Sequence, residues 1–334
     1  MKNELLLPYL FNRAYKNNTP LSVIIELLTK CNLKCTHCYL PEHTDPGLHF
    51  ETVKKLLFNL RNMGVLNVSF TGGEIFLRDD LYDLIKITRD LYMRVFLLSN
   101  GTKEIDAERL SKLHIAEFST TIFSMDNKVH DSITQVNGSL ESLLNNLNNL
   151  KLHNIRIRVK MPLMKNNLYC IDDVIKFCND NKFEFTTSPT IFSKNDGDKS
   201  PEKLRIEKDD LKYAINKIDK LNNQDASQIH SFDVPCAALF CGFSIDCKGD
   251  VYPCNSLLYK VGNIYQNDIQ DIWNYSDELK YIKSLKKSDL TKCRECEYES
   301  ICERCPGMAL LDNNDVLTCD QYAKLVAEIR FNRK

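Results

Sequence analysis

Apolar residues in the first 190 positions recur in two alternating patterns. Short β-branched segments such as 21–28 (LSVIIELL) predict strands, whereas segment 51–63 repeats its apolar residues every three or four positions, as one face of a helix does. By the same criteria, strands are expected at 65–70, 94–99, 118–123, 156–161 and 183–188, and helices at 79–91, 105–113, 139–152 and 171–179. Six strand–helix repeats imply parallel strands with crossover helices. Because a closed barrel has eight repeats, a partial barrel and a doubly wound sheet both fit.

The pattern changes after residue 190. Segment 193–203 is polar and contains Gly and Pro, which predicts a loop or a domain boundary, and a charged helix is expected at 207–222. The residues beyond are rich in cysteine and predict one hairpin over 243–254, turning at Lys248–Gly249. We therefore divide the chain into an N-terminal segment (1–20), an α/β domain (21–195), a linker with a helix (196–231) and a cysteine-rich module (232–334).

Charge and composition exclude some classes of protein. The 44 Lys and Arg residues nearly balance the 45 Asp and Glu residues, so nothing indicates a nucleic-acid partner. No apolar run approaches the ~18 residues that span a bilayer, and the N-terminus lacks a signal-peptide cleavage pattern. We expect a cytoplasmic protein without a membrane partner. In a reducing compartment, the fourteen clustered cysteines indicate metal binding more than disulfides.

Three cysteines, Cys31, Cys35 and Cys38, follow the first predicted strand directly, where barrel folds place their chemistry. Three thiolates can hold three irons of a four-iron cluster and leave the fourth iron open to a ligand. The alternatives are free thiols and a structural zinc site. Structural zinc needs four protein ligands, and His37 is sterically awkward as the fourth because it lies between two of the cysteines.

The spacing C-x3-C-x2-C after a first strand, followed by Tyr39, resembles the radical S-adenosylmethionine (radical SAM) superfamily. The segment Thr71–Glu74 (TGGE) after the second strand agrees with it, and the resemblance covers about residues 20–190. It implies a partial (β/α)6 barrel of the TIM type. It also implies a 4Fe-4S cluster that binds S-adenosyl-L-methionine and yields a 5′-deoxyadenosyl radical, which abstracts hydrogen from the substrate.

The same resemblance implies which residues bind the cofactor. Glu74 would receive the methionine ammonium, a charge-assisted contact, and Ser124 would contact the ribose. His37 stands at a usually aromatic position whose backbone lies near the adenine, and Asn127 stands where the family usually has glycine. The implied S-adenosylmethionine site comprises His37, Tyr39, Gly72, Gly73, Glu74, Ser99, Asn100 and Ser124.

The later cysteines resemble the SPASM extension of radical SAM enzymes that modify peptides and proteins. The resemblance implies two auxiliary 4Fe-4S clusters, three clusters in all. The first would be held by Cys236, Cys241, Cys254 and Cys305, and the second by Cys293, Cys296, Cys302 and Cys319. The gap before Cys305 is one residue shorter than the family pattern. A pair of zinc sites is the alternative for the same thiolates.

The resemblance implies post-translational modification of a ribosomally synthesised peptide, by a thioether or carbon–carbon crosslink or by epimerisation. The first alternative is an anaerobic sulfatase maturase, which forms formylglycine and carries Asp after the cysteine that closes the hairpin. Here Asn255 stands in that position and cannot accept a proton. The second alternative, a non-enzymatic iron–sulfur or zinc protein, does not explain the open three-cysteine motif.

Further expectations concern the binding partners of the enzyme and the cysteines that have not been assigned to a cluster. About 20 residues precede the first strand, too few for an independent domain, so the leader of the precursor peptide would bind the barrel mouth, the SPASM module or a separate leader-binding protein. The resemblance also implies an electron donor such as flavodoxin or ferredoxin. Cys247, the one unassigned cysteine of the module, is a candidate catalytic hydrogen-atom donor. Cys170 and Cys178 are expected in the core.

Overall fold

A single mixed sheet joins both halves of the chain. The structure, a computed structural model, describes residues 6–222, 234–236 and 240–333. In these ranges the strands are β1 (Ser22–Glu26), β2 (Asn67–Thr71), β3 (Arg94–Leu98), β4 (Glu117–Thr121), β5 (Ile157–Pro162), β6 (Glu184–Ser188), β7 (Gly242–Ile245), β8 (Asp250–Tyr252) and β9 (Gly262–Asn263). Their order is β6-β5-β4-β3-β2-β1-β7-β8-β9. Strands β1 to β7 pair with one another in parallel, whereas β8 pairs antiparallel with both β7 and β9.

Helices cover the outer face of the parallel strands. The α-helices of the described residues are α1 (Leu6–Lys16), α2 (Phe50–Asn62), α3 (Leu81–Asp90), α4 (Ala107–Lys112), α5 (Asn127–Thr134), α6 (Ser139–Leu152), α7 (Ile171–Asn181), α8 (Lys208–Asn222), α9 (Ile269–Tyr275), α10 (Asp277–Ser284), α11 (Thr291–Arg294), α12 (Pro306–Asn313) and α13 (Gln321–Phe331). Short 3-10 helices lie at Ile75–Leu77, Leu168–Cys170, Ser200–Leu204, Lys287–Asp289 and Glu299–Ile301. This is the predicted partial (β/α)6 barrel.

Strand alternation decides which side chains enter the core. On β1, Val23 and Ile25 are buried against the helices, whereas Ile24 and Glu26 point to the other face of the sheet. The same alternation on β2, β3 and β5, with Phe118 of β4, gives one large apolar core between sheet and helices. A second, small core in the cysteine-rich module consists of Leu257, Ile282, Leu285 and Val316.

The strands and helices predicted for residues 21–190 occur within a few residues of their expected bounds. The predicted hairpin is also present, with Gly249 in the turn at φ +82°. Helices α1 and α5 were not predicted, and neither were the helices of the cysteine-rich module. The hydrogen bonds between β7 and β1 join that module to the barrel in one sheet. No described helix has the length and apolar character needed to cross a membrane.

Candidate functional site

The loop after β1 carries Cys31, Cys35 and Cys38 to the carboxyl ends of the parallel strands. All three side chains line one cavity of about 210 Å³. The loop is fixed against the last turn of α5, because the backbone N–H groups of Lys34 and Thr36 donate to carbonyl oxygens there at 3.1 and 2.9 Å. The cysteines are therefore placed by backbone contacts with the barrel.

The chemistry of this donor set fits an iron–sulfur cluster with one open iron. Burial and then the charge of the other two thiols raise the pKa of Cys35 to about 12, which shows that the three sulfurs are neighbours. His43 Nε2 lies 3.4 Å from Cys38 Sγ. Among the described residues, no three His, Cys, Asp or Glu side chains converge closely enough to hold a single metal ion.

The glycine pair after β2 presses on the chain that leads into the cysteine loop. Gly72 has φ +146°, and a Cβ there would lie 2.3 Å from the carbonyl oxygen of Leu28. A Cβ on Gly73 would lie 2.2 Å from the carbonyl oxygen of Thr29. The N–H of Gly73 donates to the Leu28 carbonyl at 2.9 Å. Only glycine permits this approach, and both glycines line the cavity.

Glu74 is fully buried and is not among the residues that line the cavity. Its carboxylate accepts hydrogen bonds from Ser99 Oγ at 2.8 and 2.9 Å, from the Asn100 N–H at 2.8 Å and from the Phe76 N–H at 2.9 Å. Ser99 and Asn100 do line the cavity, and Asn100 Nδ2 lies 3.7 Å from Cys31 Sγ. Glu74 thus holds the segment that reaches the cysteines, and its contact with an ammonium group stays a prediction.

The other predicted cofactor residues divide between the cavity and the core. His37 and Tyr39 line the cavity, and the His37 ring packs edge-on against Phe123 with ring centres 4.9 Å apart. Burial lowers the pKa of His37 to about 4, so its ring is neutral at physiological pH. Ser124 is buried, accepts a hydrogen bond from the Asp126 N–H at 2.9 Å and is not among the residues that line the cavity.

Several cavity residues were missed by the sequence analysis: His43, Phe123, His130 and Lys160. Lys160 is the only Lys or Arg among the described residues that line this cavity, and burial lowers its pKa. It lies on the same face of β5 as Arg158, which forms an ion pair with Glu117 at 2.8 Å. Lys160 forms no ion pair with the described residues. The alternate basic residues in segment 156–161 were a sequence signal for it.

Four of the C-terminal cysteines lie close together. Burial, then the Asp320 carboxylate and then the thiols of Cys293, Cys319 and Cys296 raise the pKa of Cys302 to about 12. These cysteines are the predicted ligands of the second auxiliary cluster. The structure thus brings this set together, and its role as a ligand set stays a prediction.

Two of the predicted ligands of the first auxiliary cluster, Cys254 and Cys305, lie near each other. The thiol of Cys254 is one of the groups that raise the pKa of Cys305, after burial. Cys236 and Cys254 contact the same small apolar core. Cys241 lies beside Lys283, whose pKa burial lowers to about 8. Cys305 therefore lies near the first set although it follows Cys302 by three residues.

Cys247, the candidate hydrogen-atom donor, lies in the hairpin turn. Its side chain is buried, and burial, then the charges of Glu26 and Asp246, raise the pKa of its thiol to about 12. Cys247 does not line the cavity of Cys31, Cys35 and Cys38, and it does not line the second cavity that adjoins it. Cys178 is part of the main core and Cys170 packs on it, as expected.

A second cavity of about 320 Å³ adjoins the first. Tyr39 and Thr71 line both cavities and so form the wall between them. The hairpin β7–β8 of the cysteine-rich module supplies much of its lining, including Asn255 just beyond β8. A ligand in the second cavity would therefore touch both the barrel and the cysteine-rich module, and only the wall of Tyr39 and Thr71 would separate it from the cavity of the three cysteines.

Comparison with known proteins identifies the class of this site. The Radical SAM superfamily model matches residues 25–178, and the SPASM model, an iron–sulfur cluster-binding domain, matches residues 236–306. Each covers one of the two cysteine-bearing regions. The chain belongs to the radical SAM superfamily of enzymes. Within that superfamily it is a SPASM-domain protein.

Individual relatives have different names. An AdoMet-dependent heme synthase of Oleidesulfovibrio alaskensis is 24% identical over 88% of this chain and 84% of that protein. The antilisterial bacteriocin subtilosin biosynthesis protein AlbA of Bacillus subtilis is 26% identical over 76% of this chain and 60% of that protein. The crystal structure of Streptococcus suis SuiB bound to S-adenosylmethionine has a TM-score of 0.72 at 20% identity, covering 92% of this chain and 78% of that one, which shows a shared fold.

Proposed function

We propose that this enzyme modifies a ribosomally synthesised peptide, using S-adenosylmethionine and three 4Fe-4S clusters. The modification would be a thioether or carbon–carbon crosslink, or an epimerisation. The relative named for subtilosin biosynthesis supports a peptide, as does one named for sporulation killing factor maturation. SuiB, which shares the fold, has been crystallised with its precursor peptide SuiA.

The cofactor side of the proposal uses the first cavity. Cys31, Cys35 and Cys38 would hold the catalytic cluster, which together with bound S-adenosylmethionine supplies hydrogen-abstracting radical chemistry. Lys160, which lacks an acidic partner among the described residues, would pair with the carboxylate of the methionine group. The neutral His37 ring and Phe123 offer an apolar wall for a planar ring.

The observation that carries the proposal is the charge of the adjoining cavity. Four carboxyl groups and one lysine ammonium line it; the carboxyl groups are Glu26, Asp196, Asp246 and Asp250, and only Asp250 forms an ion pair with a described residue, Lys260. Haem and coproporphyrin carry carboxylate side chains, which such a lining would repel. A peptide has neutral amides and can carry cationic side chains, so the lining favours a peptide over the substrate class of the haem synthase relatives.

The test begins with iron. We expect about twelve irons per chain after anaerobic reconstitution, four for each cluster. The variant with Cys31, Cys35 and Cys38 replaced by Ala should keep about eight irons and lose S-adenosylmethionine cleavage. About four irons in the unaltered protein, or zinc in place of iron, would contradict the three-cluster assignment.

Turnover then decides the substrate class. The reconstituted enzyme is incubated with S-adenosylmethionine, a chemical reductant and any short peptide found to be encoded beside its gene, and 5′-deoxyadenosine and peptide mass are measured. A crosslink makes the peptide two hydrogens lighter, whereas epimerisation in deuterium oxide adds one deuterium. Formylglycine in the product would indicate a sulfatase maturase. Conversion of an iron coproporphyrin with no change to the peptide would refute peptide modification.

A further inference from the structure

The floor of the second cavity is one face of three adjacent strands. Alternate residues of a strand point to the same side, so side chains from β1, β7 and β8 meet there. They are Ile24, Glu26, Ser244, Asp246, Asp250 and Tyr252, with Asp246 just beyond the end of β7. Because β1 belongs to the barrel, whereas β7 and β8 belong to the cysteine-rich module, this surface forms only when both parts are present.

Most polar groups of this floor already have partners. Asp246 Oδ1 accepts the N–H groups of Lys248 and Asp250, each at 2.9 Å, and Asp246 Oδ2 accepts the hydroxyl of Tyr252 at 3.3 Å. Asp250 forms an ion pair with Lys260 at 2.6 Å. These groups hold the hairpin in shape and need no ligand.

Glu26 has no cationic partner among the described residues, and its neutral partners are fewer than those of Asp246. Its Oε2 accepts the hydroxyl of Tyr39 at 3.1 Å, and its carboxylate accepts the N–H of Cys247. No Lys or Arg of the described residues lies within ion-pair distance of it, and Asp246 and Glu42 add negative charge nearby. Burial, offset in part by Tyr39, raises the pKa of Glu26 to about 7. A partly buried carboxylate without a counter-charge is stabilised when a cation binds beside it.

Ser244 provides an independent sign of a ligand. It lies on β7 opposite Ile24 of β1, is only 4% exposed and lines the cavity. Its Oγ is buried and has no hydrogen-bond partner among the described residues. Buried hydroxyl groups are normally paired, so an unpaired one in a cavity wall indicates a missing partner. Glu26, which lacks a cation beside it, and Ser244 Oγ, which lacks a hydrogen-bond partner, both line the second cavity.

We propose that the second cavity binds one cationic group of the substrate, an ammonium or a guanidinium, with Glu26 as its ion-pair partner and Ser244 Oγ as a hydrogen-bond acceptor. This inference rests on the proposed function, because peptides supply such groups as lysine and arginine side chains. The shared wall of Tyr39 and Thr71 would then hold the neighbouring part of the peptide beside the three thiols.

The test measures binding without turnover. The reconstituted enzyme is titrated anaerobically, at about pH 8 so that Glu26 is ionised, with three probes observed by nuclear magnetic resonance. N-acetyl-lysine methylamide and N-acetyl-arginine methylamide carry the cation, and N-acetyl-norleucine methylamide is the neutral control. We expect a cationic probe to bind about 10-fold or more tightly than the neutral one, as a charge-assisted hydrogen bond implies.

Variants of the cavity residues test which side chains cause the preference for a cationic probe over the neutral one. Glu26→Gln should abolish the preference for the cation and leave the neutral probe unchanged, and Ser244→Ala should reduce the preference a few-fold. Glu184→Gln on β6 is the matched control, because Glu184 lies on a barrel strand outside both cavities and should keep the preference. The iron content of each variant is measured to check its folding. If Glu26→Gln loses its iron, the probe affinities of the unaltered enzyme and of Ser244→Ala decide the outcome.

Two results would overturn the subsite: equal affinity of the unaltered enzyme for cationic and neutral probes, or an undiminished preference in both cavity variants. These failures differ from a failure of the proposed function. An enzyme that modifies its peptide without preferring a cationic probe refutes the subsite alone. An enzyme that prefers the cation but changes no peptide refutes the proposed function alone.

Discussion

The loop of Cys31–Cys38 and the segment of the last five cysteines are supported in different ways. The loop follows β1, whose residues Val23 and Ile25 belong to the large core between sheet and helices. The last five cysteines lie between Cys293 and Cys319, where the structure gives only short helices and few buried core side chains: Ile301, Met308, Ala309 and Val316. The first site is therefore built on the fold, whereas the second has little apolar support.

This difference in apolar support predicts a role in the reaction for the first three cysteines and a structural role for the last five. Burial of an aliphatic side chain contributes roughly 1.5–3 kcal/mol, so the few buried side chains of this segment offset the ordering of only part of it. Neighbouring α9 and α13 join the main core through Trp273 and Ile329, which limits the weakly supported part to about 285–320. Clusters would supply the missing cross-links there, whereas the first cluster would be needed only for reaction.

The largest expected effect is therefore that of iron removal. Anaerobic chelation should expose the amides of segment 285–320 to hydrogen exchange by a factor of roughly 100 or more, because local unfolding then costs little. The amides of β1 to β5 should keep their protection, since the large core does not depend on metal. Hydrogen–deuterium exchange with mass spectrometry measures both regions in one sample. Equal loss in both regions, or protection of 285–320 without iron, would contradict the comparison.

A smaller effect is expected from Glu74→Gln. The new amide places an NH2 group among donors that now bind the carboxylate, so folding should lose about 1–3 kcal/mol. S-adenosylmethionine affinity should fall more than cluster assembly, because Ser99 and Asn100 line the cavity. Thermal unfolding and a binding titration measure the two effects, with the exposed Glu51→Gln as control. Lower affinity at unchanged stability would instead support a direct contact between Glu74 and the methionine ammonium.

The smallest structural effect is expected from Cys247→Ala, which removes one buried thiol in the hairpin turn. If the enzyme epimerises its peptide through this thiol, the variant should still form 5′-deoxyadenosine but lose the deuterated product in deuterium oxide. Peptide mass spectrometry with the cognate peptide separates the outcomes. A product two hydrogens lighter from both proteins would exclude the thiol as donor and identify crosslinking.

Sequence patterns predicted the barrel better than the module for a physical reason. Strand alternation and helix spacing in residues 21–190 follow from burial in one large core, so they are visible locally. The helices of the module have four to eleven residues and lack the strand–helix alternation that predicted the equally short α4 of the barrel. Helix α1 contains Pro8 in an apolar run, and α5 precedes α6, the one helix that the alternation predicts between β4 and β5.

Within the candidate site, too, the residues of local motifs were predictable from the sequence, whereas those brought together by distant strands were not. Cysteine spacing and the glycine pair predicted residues that the structure brings to one cavity, because each motif occupies a single loop. The second cavity was not predictable from local pattern. It depends on the pairing of β1 with β7, which places Glu26 beside Asp246 although 220 positions separate them in the sequence.

The pairing of β7 with β1 also has a consequence for any shortened form of the protein. A chain ending before Gly242 would leave β1 as the outer strand of a parallel sheet, with the N–H and C=O groups that now pair with β7 unsatisfied. Flanking apolar residues such as Ile24 would be uncovered with them. Open edges of this kind pair readily with other chains, so the isolated barrel would tend to aggregate during expression. For this enzyme, the SPASM half protects the barrel from self-association.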